Sequence, residues 1–249
     1  MHLQRIAHIA VNRLGSSIAV QKIKMDQKLI RLPKVGEENG IQGIITKVAG
    51  SLERGGIISV PTDTIYGIAA MSQNSEAIEK IYDIKHRNTS NPIAICVADI
   101  SDINKWAHVT VSKELLADLL PGPVTLVFQR TVDLNPTLNP MTDLVGVRIP
   151  ANDCLRRLCR HFGSPLALTS ANISKSTSTL AVEEFKELWP RLDFILDAGR
   201  LSETQESRLG STVVNLSTQG HYTIIREGSA YKSTVEILKK HKLMETISS

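Results

Sequence analysis

Cysteine is scarce in this chain: Cys96, Cys154 and Cys159 are the whole supply, with no C-x-x-C pair and no Cys/His ligand spacing. That argues against a disulfide framework or a structural zinc and fits a reducing compartment. No apolar stretch approaches the length of a membrane-spanning helix. Aromatic residues make up only 4% of the 249, few for the stacking platforms that usually hold single-stranded nucleic acid. The chain has no G-x-x-x-x-G-K-[ST] loop, no G-x-G-x-x-G after a strand, no G-x-S-x-G elbow, no H-E-x-x-H and no histidine pair at metal spacing. The commonest nucleotide, serine-hydrolase and zinc-protease signatures are therefore absent.

Acid is missing from one place. Residues 1–25 contain Arg5, Arg13, Lys22 and Lys24 but no Asp or Glu. Those four account for the entire net charge of +4, and the rest of the chain is balanced. Bulk charge is thus no argument for a nucleic-acid partner. Within the same segment Leu3, Ile6, Ala7, Ala10, Val11 and Leu14 recur at helical spacing among arginines and serines. That is the pattern of a mitochondrial transit peptide, and Met25 offers an internal start for a cytoplasmic form. The expected distribution is mitochondrial and cytoplasmic. Residues 26–42 read as a linker or loosely docked arm, 43–240 as the folded domain and 241–249 as a tail.

Within the domain, apolar stripes at helical spacing alternate with short apolar runs. Ile44 to Leu52 makes a helix stopped by Gly55-Gly56, followed by a strand at 57–60. A helix at 77–82 is opened by Ser75 and Glu76, and a strand follows at 93–98. Ser112 opens a helix that Pro121 stops; strands at 124–129 and 145–149, a helix at 153–161 and a short strand at 166–168 come next. Residues 183–189 read as helix and 194–196 as strand. Segments 211–216 and 222–226 read as a strand pair, before a helix opened by a Ser233-x-x-Glu236 capping box. This order predicts a single α/β domain on a twisted mixed β-sheet flanked by helices, with a concave ligand cavity.

What the chain does have is polar clusters at the ends of apolar segments. They are Pro61-Thr62-Asp63-Thr64, Lys85-His86-Arg87, Pro121-Gly122-Pro123-Val124-Thr125, Arg148-Ile149-Pro150, Thr169-Ser170-Ala171-Asn172, Gly210-Ser211-Thr212 and Arg226-Glu227-Gly228. Strand ends are where α/β sheets build ligand sites. Hydroxyls, amides and cations together suit a nucleotide, or an amino acid beside one. Singly, each cluster is also what a turn, a cap or a helix-end cation looks like.

Taken in order, P-T-D-T-x-Y-G, K-x-R, P-G-P-V-T, R-x-P, T-S-A-N, S-T-V-V and R-x-G resemble the YrdC/Sua5 family, the threonylcarbamoyl-AMP synthases, from about Gly43 to Ala230. The flanking sequence looks most like animal members, in the short form without the extra Sua5 domain. The resemblance implies a nucleotidyltransferase that makes L-threonylcarbamoyladenylate from L-threonine, bicarbonate (or CO2) and ATP and releases pyrophosphate. The product would pass to the tRNA threonylcarbamoyl transferase machinery for t6A37 modification of ANN-decoding tRNAs. By similarity Thr62, Thr64, Arg148 and Ser211 would hold threonine, with Arg148 on its carboxylate. Lys85, Arg87 and Asn91 would line the ATP phosphates, Lys85 and Arg87 being the catalytic pair. Ser170, Asn172, Ser178 and Arg226 would hold the nucleotide, and Mg²⁺ would ride on the phosphates without a protein ligand. The motif leaves Asp63 open between a base and a turn role.

Two departures stand out. Cys96 occupies the place of a histidine found near the substrate in many relatives, and reads as a core cysteine. Asn88 follows Arg87 where relatives often have proline. The polar stretch 202–208 reads as either a lid or an ordinary exposed connection. The rival functions are a non-catalytic RNA-binding module, with weak RNA binding on a basic concave face, and a carbamoyl-phosphate carbamoyltransferase. The latter relatives carry zinc-finger and acylphosphatase-like parts that this sequence does not show.

Overall fold

Twelve strands among the described residues run in the order β1-β9-β2-β3-β8-β4-β7-β6-β10-β11-β12, with β5 paired to β6. The structure is a computed structural model that describes residues 27–33, 40–86, 91–174 and 176–246. The acid-free leader at 1–25 lies outside the described residues, as do Arg87 and Asn88. No helix among the described residues is long and apolar enough to cross a membrane.

The strands are β1 (Leu29–Arg31), β2 (Ile58–Val60), β3 (Gly67–Met71), β4 (Ala94–Cys96), β5 (Ala107–His108), β6 (Val124–Arg130), β7 (Leu144–Arg148), β8 (Leu166–Ser170), β9 (Phe194–Asp197), β10 (Thr212–Asn215), β11 (His221–Arg226) and β12 (Met244–Glu245). The helices are α1 (Ile41–Glu53), α2 (Ser75–Ile84), α3 (Ile103–Trp106), α4 (Lys113–Leu119), α5 (Asp153–Phe162) and α6 (Tyr231–Lys240). The sheet is mixed: β4 runs parallel to β7 and β6 to β10, while β7 and β6 are antiparallel.

The two-residue period of the strands divides the core. Ile68 and Ala70 of β3, Ile95 of β4 and Ala167 of β8 join the larger cluster, which includes Ala77, Ile78 and Ile81 of α2. Their neighbours Ala69, Cys96, Leu166 and Leu168 face the opposite cluster, built on Ile45, Val48 and Leu52 of α1 and Leu155 and Leu158 of α5. α1 and α5 therefore cover one face of the sheet, and α2 lies against the other.

Several local expectations need correction. The cap of α2 is Asn74, whose side chain accepts from Ala77 N at 3.0 Å; Ser75 is the first helical residue. Ser233 is no cap, because α6 starts at Tyr231 and the Ser233 hydroxyl donates back to Ala230 O. Residues 182–191 form a 3-10 segment broken at Phe185 and carrying Pro190, which withholds a backbone donor. Part of the segment read as an arm joins the sheet, since Leu29–Arg31 pairs parallel with β9. The tail contributes β12, paired to β11.

Candidate active site

The same pleat that fills the core opens a cavity. On β7, Val145 and Val147 point into the larger core, whereas Leu144, Gly146 and Arg148 line a cavity of about 460 Å³. On β6, Leu126 and Phe128 are core, and Thr125 and Val127 line the cavity. On β10, Val214 is core and Val213 lines. Ala94, Leu168 and Ser170, from β4 and β8, share that wall. Glycine at 146 keeps the floor open: a Cβ there would stand 2.9 Å from Thr125 Cγ2.

Five of the residues expected at the site meet in this one cavity: Thr62, Arg148, Ser170, Ser211 and Arg226. Thr62 holds the turn after β2, donating to Ile65 O at 2.7 Å and accepting from Thr64 N and Ile65 N. Thr64 is reached through Arg148, whose Nη2 donates to Thr64 Oγ1 at 2.9 Å. The same Nη2 lies 2.5 Å from Asp63 Oδ1, an ion pair whose side chains are only 7% and 10% exposed. Asp63 is thus the counter-ion of Arg148.

Ser211 and Arg226, expected on different substrates, touch. Arg226 donates to Ser211 O through Nε and Nη2, and to Ser211 Oγ at 3.0 Å. Ser211 Oγ also lies 2.8 Å from Thr125 Oγ1. Gly228 explains the glycine of the R-x-G cluster: a Cβ there would sit 2.3 Å from the backbone of Ser211 and Thr212.

Lys85 meets the cavity wall at Ser170. Its ammonium is buried and donates to Ser170 O at 2.5 Å and Asn172 O at 2.6 Å, with Ser170 Oγ and Asn172 Oδ1 at 3.3 and 3.4 Å. Asn172 Nδ2 in turn donates to Ser176 O. Asn91 is exposed, one residue before Pro92 of the cavity wall. Arg87 lies outside the described residues. Cys96 is a core residue: it is fully buried, and Cys159 Sγ donates to its carbonyl at 3.3 Å. The hydrogen bond with Cys159, together with burial, pushes the Cys96 thiol well above its ordinary range.

Sequence reasoning missed Tyr66. The residue borders the cavity while its ring is buried in the larger core against Phe185, and its hydroxyl donates to Gly199 O at 2.7 Å and accepts from Ala198 N at 2.9 Å. The Y-G of the first cluster was the available signal. It also missed Glu184, for which there was none. Glu184 joins three segments: it accepts from Arg200, from both Nη atoms of Arg208 and from Leu180 N, while Arg208 Nη1 also donates to Ser178 O. Ser178 is therefore tied to the 202–208 stretch, which folds as a 3-10 turn at Glu206–Leu209.

Arg208, chiefly, holds the Glu184 carboxyl down at about 2. Because the folded value lies below that of the free side chain, the link is at full strength above about pH 4.5 and is lost as pH falls toward 2. Glu184→Gln is expected to speed tryptic cleavage at Arg200 and Arg208 by about fivefold, the scale of a partly exposed ion-pair network. Unchanged cleavage would show that other contacts hold the segment.

The sequence profile of a family described as "Telomere recombination" (Sua5/YciO/YrdC) matches residues 50–228. A Bos taurus protein named threonylcarbamoyl-AMP synthase is 45% identical over 231 residues, 89% of this chain and 84% of that one. A Homo sapiens protein of the same name is 44% identical over 222 residues, 86% of this chain and 80% of that one. Among solved structures, Pyrococcus abyssi Sua5 complexed with L-threonine superposes with a TM-score of 0.74 at 26% identity. The match covers 88% of this chain and 62% of the P. abyssi chain.

Proposed function

The chain belongs to the Sua5/YciO/YrdC family, and on that premise we propose that it is a threonylcarbamoyl-AMP synthase. It joins L-threonine, bicarbonate and ATP into L-threonylcarbamoyladenylate, with release of pyrophosphate and water. The observation that carries this reading is the meeting of Arg148, Arg226 and the hydroxyls of Thr62, Thr125, Ser170 and Ser211 in one cavity. Two guanidinium groups suit two anionic parts, a carboxylate and a phosphate chain, and the hydroxyls orient what lies between.

The chemistry asks for positioning more than for a covalent nucleophile. Threonine's amine becomes a carbamate, and a carbamate oxygen attacks the α-phosphate as pyrophosphate leaves. Arg148 fixes the amino acid by its carboxylate, with Thr64 and Asp63 fixing Arg148. Arg226 reaches the nucleotide from β11, and Ser211, bonded to it, marks where the two substrates adjoin. Lys85 shapes the Ser170–Asn172 strand end, and the family resemblance assigns Arg87 and Asn91 to the phosphates. Holding the reactants in line accounts for much of such a barrier, and cations on the departing charge for much of the rest.

Mg²⁺ belongs with the ATP. Among the described residues no three His, Cys, Asp or Glu side chains stand together as a metal cage, and the charges lining the cavity are arginines. That donor set fits an ion held by phosphate oxygens and water, where it would neutralise the leaving pyrophosphate. The product would feed tRNA threonylcarbamoylation. The leader composition supports mitochondrial and cytoplasmic forms, which N-terminal sequencing from the two fractions would distinguish.

Pyrophosphate release with ATP and Mg²⁺ is expected to require both L-threonine and bicarbonate. If release never appears while RNA binds tightly, the synthase reading fails and the RNA-binding module takes its place.

A further inference from the structure

The Asp63–Arg148 pair is odd for a site that grips a carboxylate. A guanidinium meant for a plain anion gains most when it has no counter-ion, yet Asp63 sits 2.5 Å from Arg148, both side chains at least nine-tenths buried. The pair is also incomplete. Asp63 Oδ2 and Arg148 Nε are both buried and make no hydrogen bond among the described residues. Buried groups of this kind are nearly always satisfied, so an unmet acceptor and an unmet donor on partnered side chains call for an explanation. A fork-to-fork contact would have used both, but only one oxygen engages Arg148, and that nitrogen is shared with Thr64 Oγ1.

We propose that Asp63 is a specificity-determining residue that makes the Arg148 subsite selective for a zwitterion. The inference rests on the synthase reading above and goes beyond it. Asp63 positions Arg148 and cancels its net charge, so a ligand bearing only a carboxylate meets a neutral pair and gains little. An α-amino acid carries both charges on one carbon: its carboxylate meets Arg148, while its ammonium is drawn by the field of Asp63, which stands against Arg148 without itself lining the cavity. In a buried setting such fields act with little screening. The subsite therefore rejects deaminated hydroxy acids of the same shape.

Calorimetric titration with L-threonine and with 3-hydroxybutyrate, which is threonine without its amino group, tests this on the full chain without turnover. The wild-type protein is expected to bind threonine at least ~30-fold more tightly than 3-hydroxybutyrate. In Asp63→Asn, which keeps the shape and removes the charge, the ratio is expected to fall below ~3-fold while the affinity for ATP, titrated alone, stays within ~twofold. Asp63→Glu, which restores the charge, is expected to recover part of the ratio, as a purely structural role would not require. Equal binding of the two ligands by the wild-type protein overturns the proposal without any variant, whatever the variants' folding. Parallel loss of both affinities in Asp63→Asn, with the ratio intact, also overturns it. Failure of the wild-type protein to bind threonine at all would overturn the synthase reading itself, and this inference with it.

Discussion

Arg148→Ala is expected to raise the threonine concentration that half-saturates pyrophosphate release by about 100-fold, and that for ATP by less than about threefold. The asymmetry follows from where the guanidinium stands. It lines the cavity at the end of β7, with Thr64 and Asp63 as partners, while Arg226, at the end of β11, bonds Ser211 just before β10. Charge-assisted bonds to a carboxylate in a site shielded from water are strong enough for a loss of that size. An equal rise for both substrates would overturn the assignment.

Alanine also strands Asp63. Removing one partner of a buried ion pair typically costs about 3–5 kcal/mol, because the other charge is left without compensation. Arg148→Lys separates the two effects. It keeps a cation near Asp63 but loses the planar fork, so the threonine effect should be about tenfold with most of the stability retained. Thermal unfolding beside the kinetics distinguishes a weakened subsite from a weakened fold.

The order in which these parts were legible has physical reasons. The clusters could be read because polar residues ending buried runs break a pattern, as Thr62 to Thr64 do after Val60. The helices α1, α4 and α5 could be read because their buried faces recur at helical spacing between clear stops, such as Gly55 and Pro121. β3 was missed because it has no alternation to see: Gly67 to Ala70 are buried on both faces, so the run looks like any apolar stretch. The 3-10 geometry at 182–191 was missed because its apolar spacing suits an α-helix, and only packing around Phe185 and Pro190 breaks it. Roles that depend on distant partners left no local trace. Asp63 meets Arg148 across 85 residues, and Glu184 meets Arg208 across 24. Asp63 stood out only as a member of its cluster and Glu184 not at all, and neither stretch of sequence names its partner.

Lys85 illustrates how a residue can bear on a cavity differently than its type suggests. A lysine after a helix reads as a phosphate ligand, but this ammonium is 1% exposed and grips the carbonyls of Ser170 and Asn172. Ser170 lines the cavity, so Lys85 sets the shape of that part of its wall, the part proposed above to hold the nucleotide. Lys85→Met keeps most of the volume and removes every donor. Two buried carbonyls then lose a charged partner, at about 1–3 kcal/mol each. For a chain of this size that is expected to lower the melting temperature by about 10 °C. On the proposed assignment of this wall to the nucleotide, kcat should fall by about 100-fold and the KM for ATP should rise. Threonine affinity, assigned above to Arg148, should change by less than about threefold. Large losses in ATP use without a fall in melting temperature would mean that the ammonium serves the phosphates directly. A fall in stability with normal turnover would mean that the Ser170–Asn172 strand end keeps its shape without it.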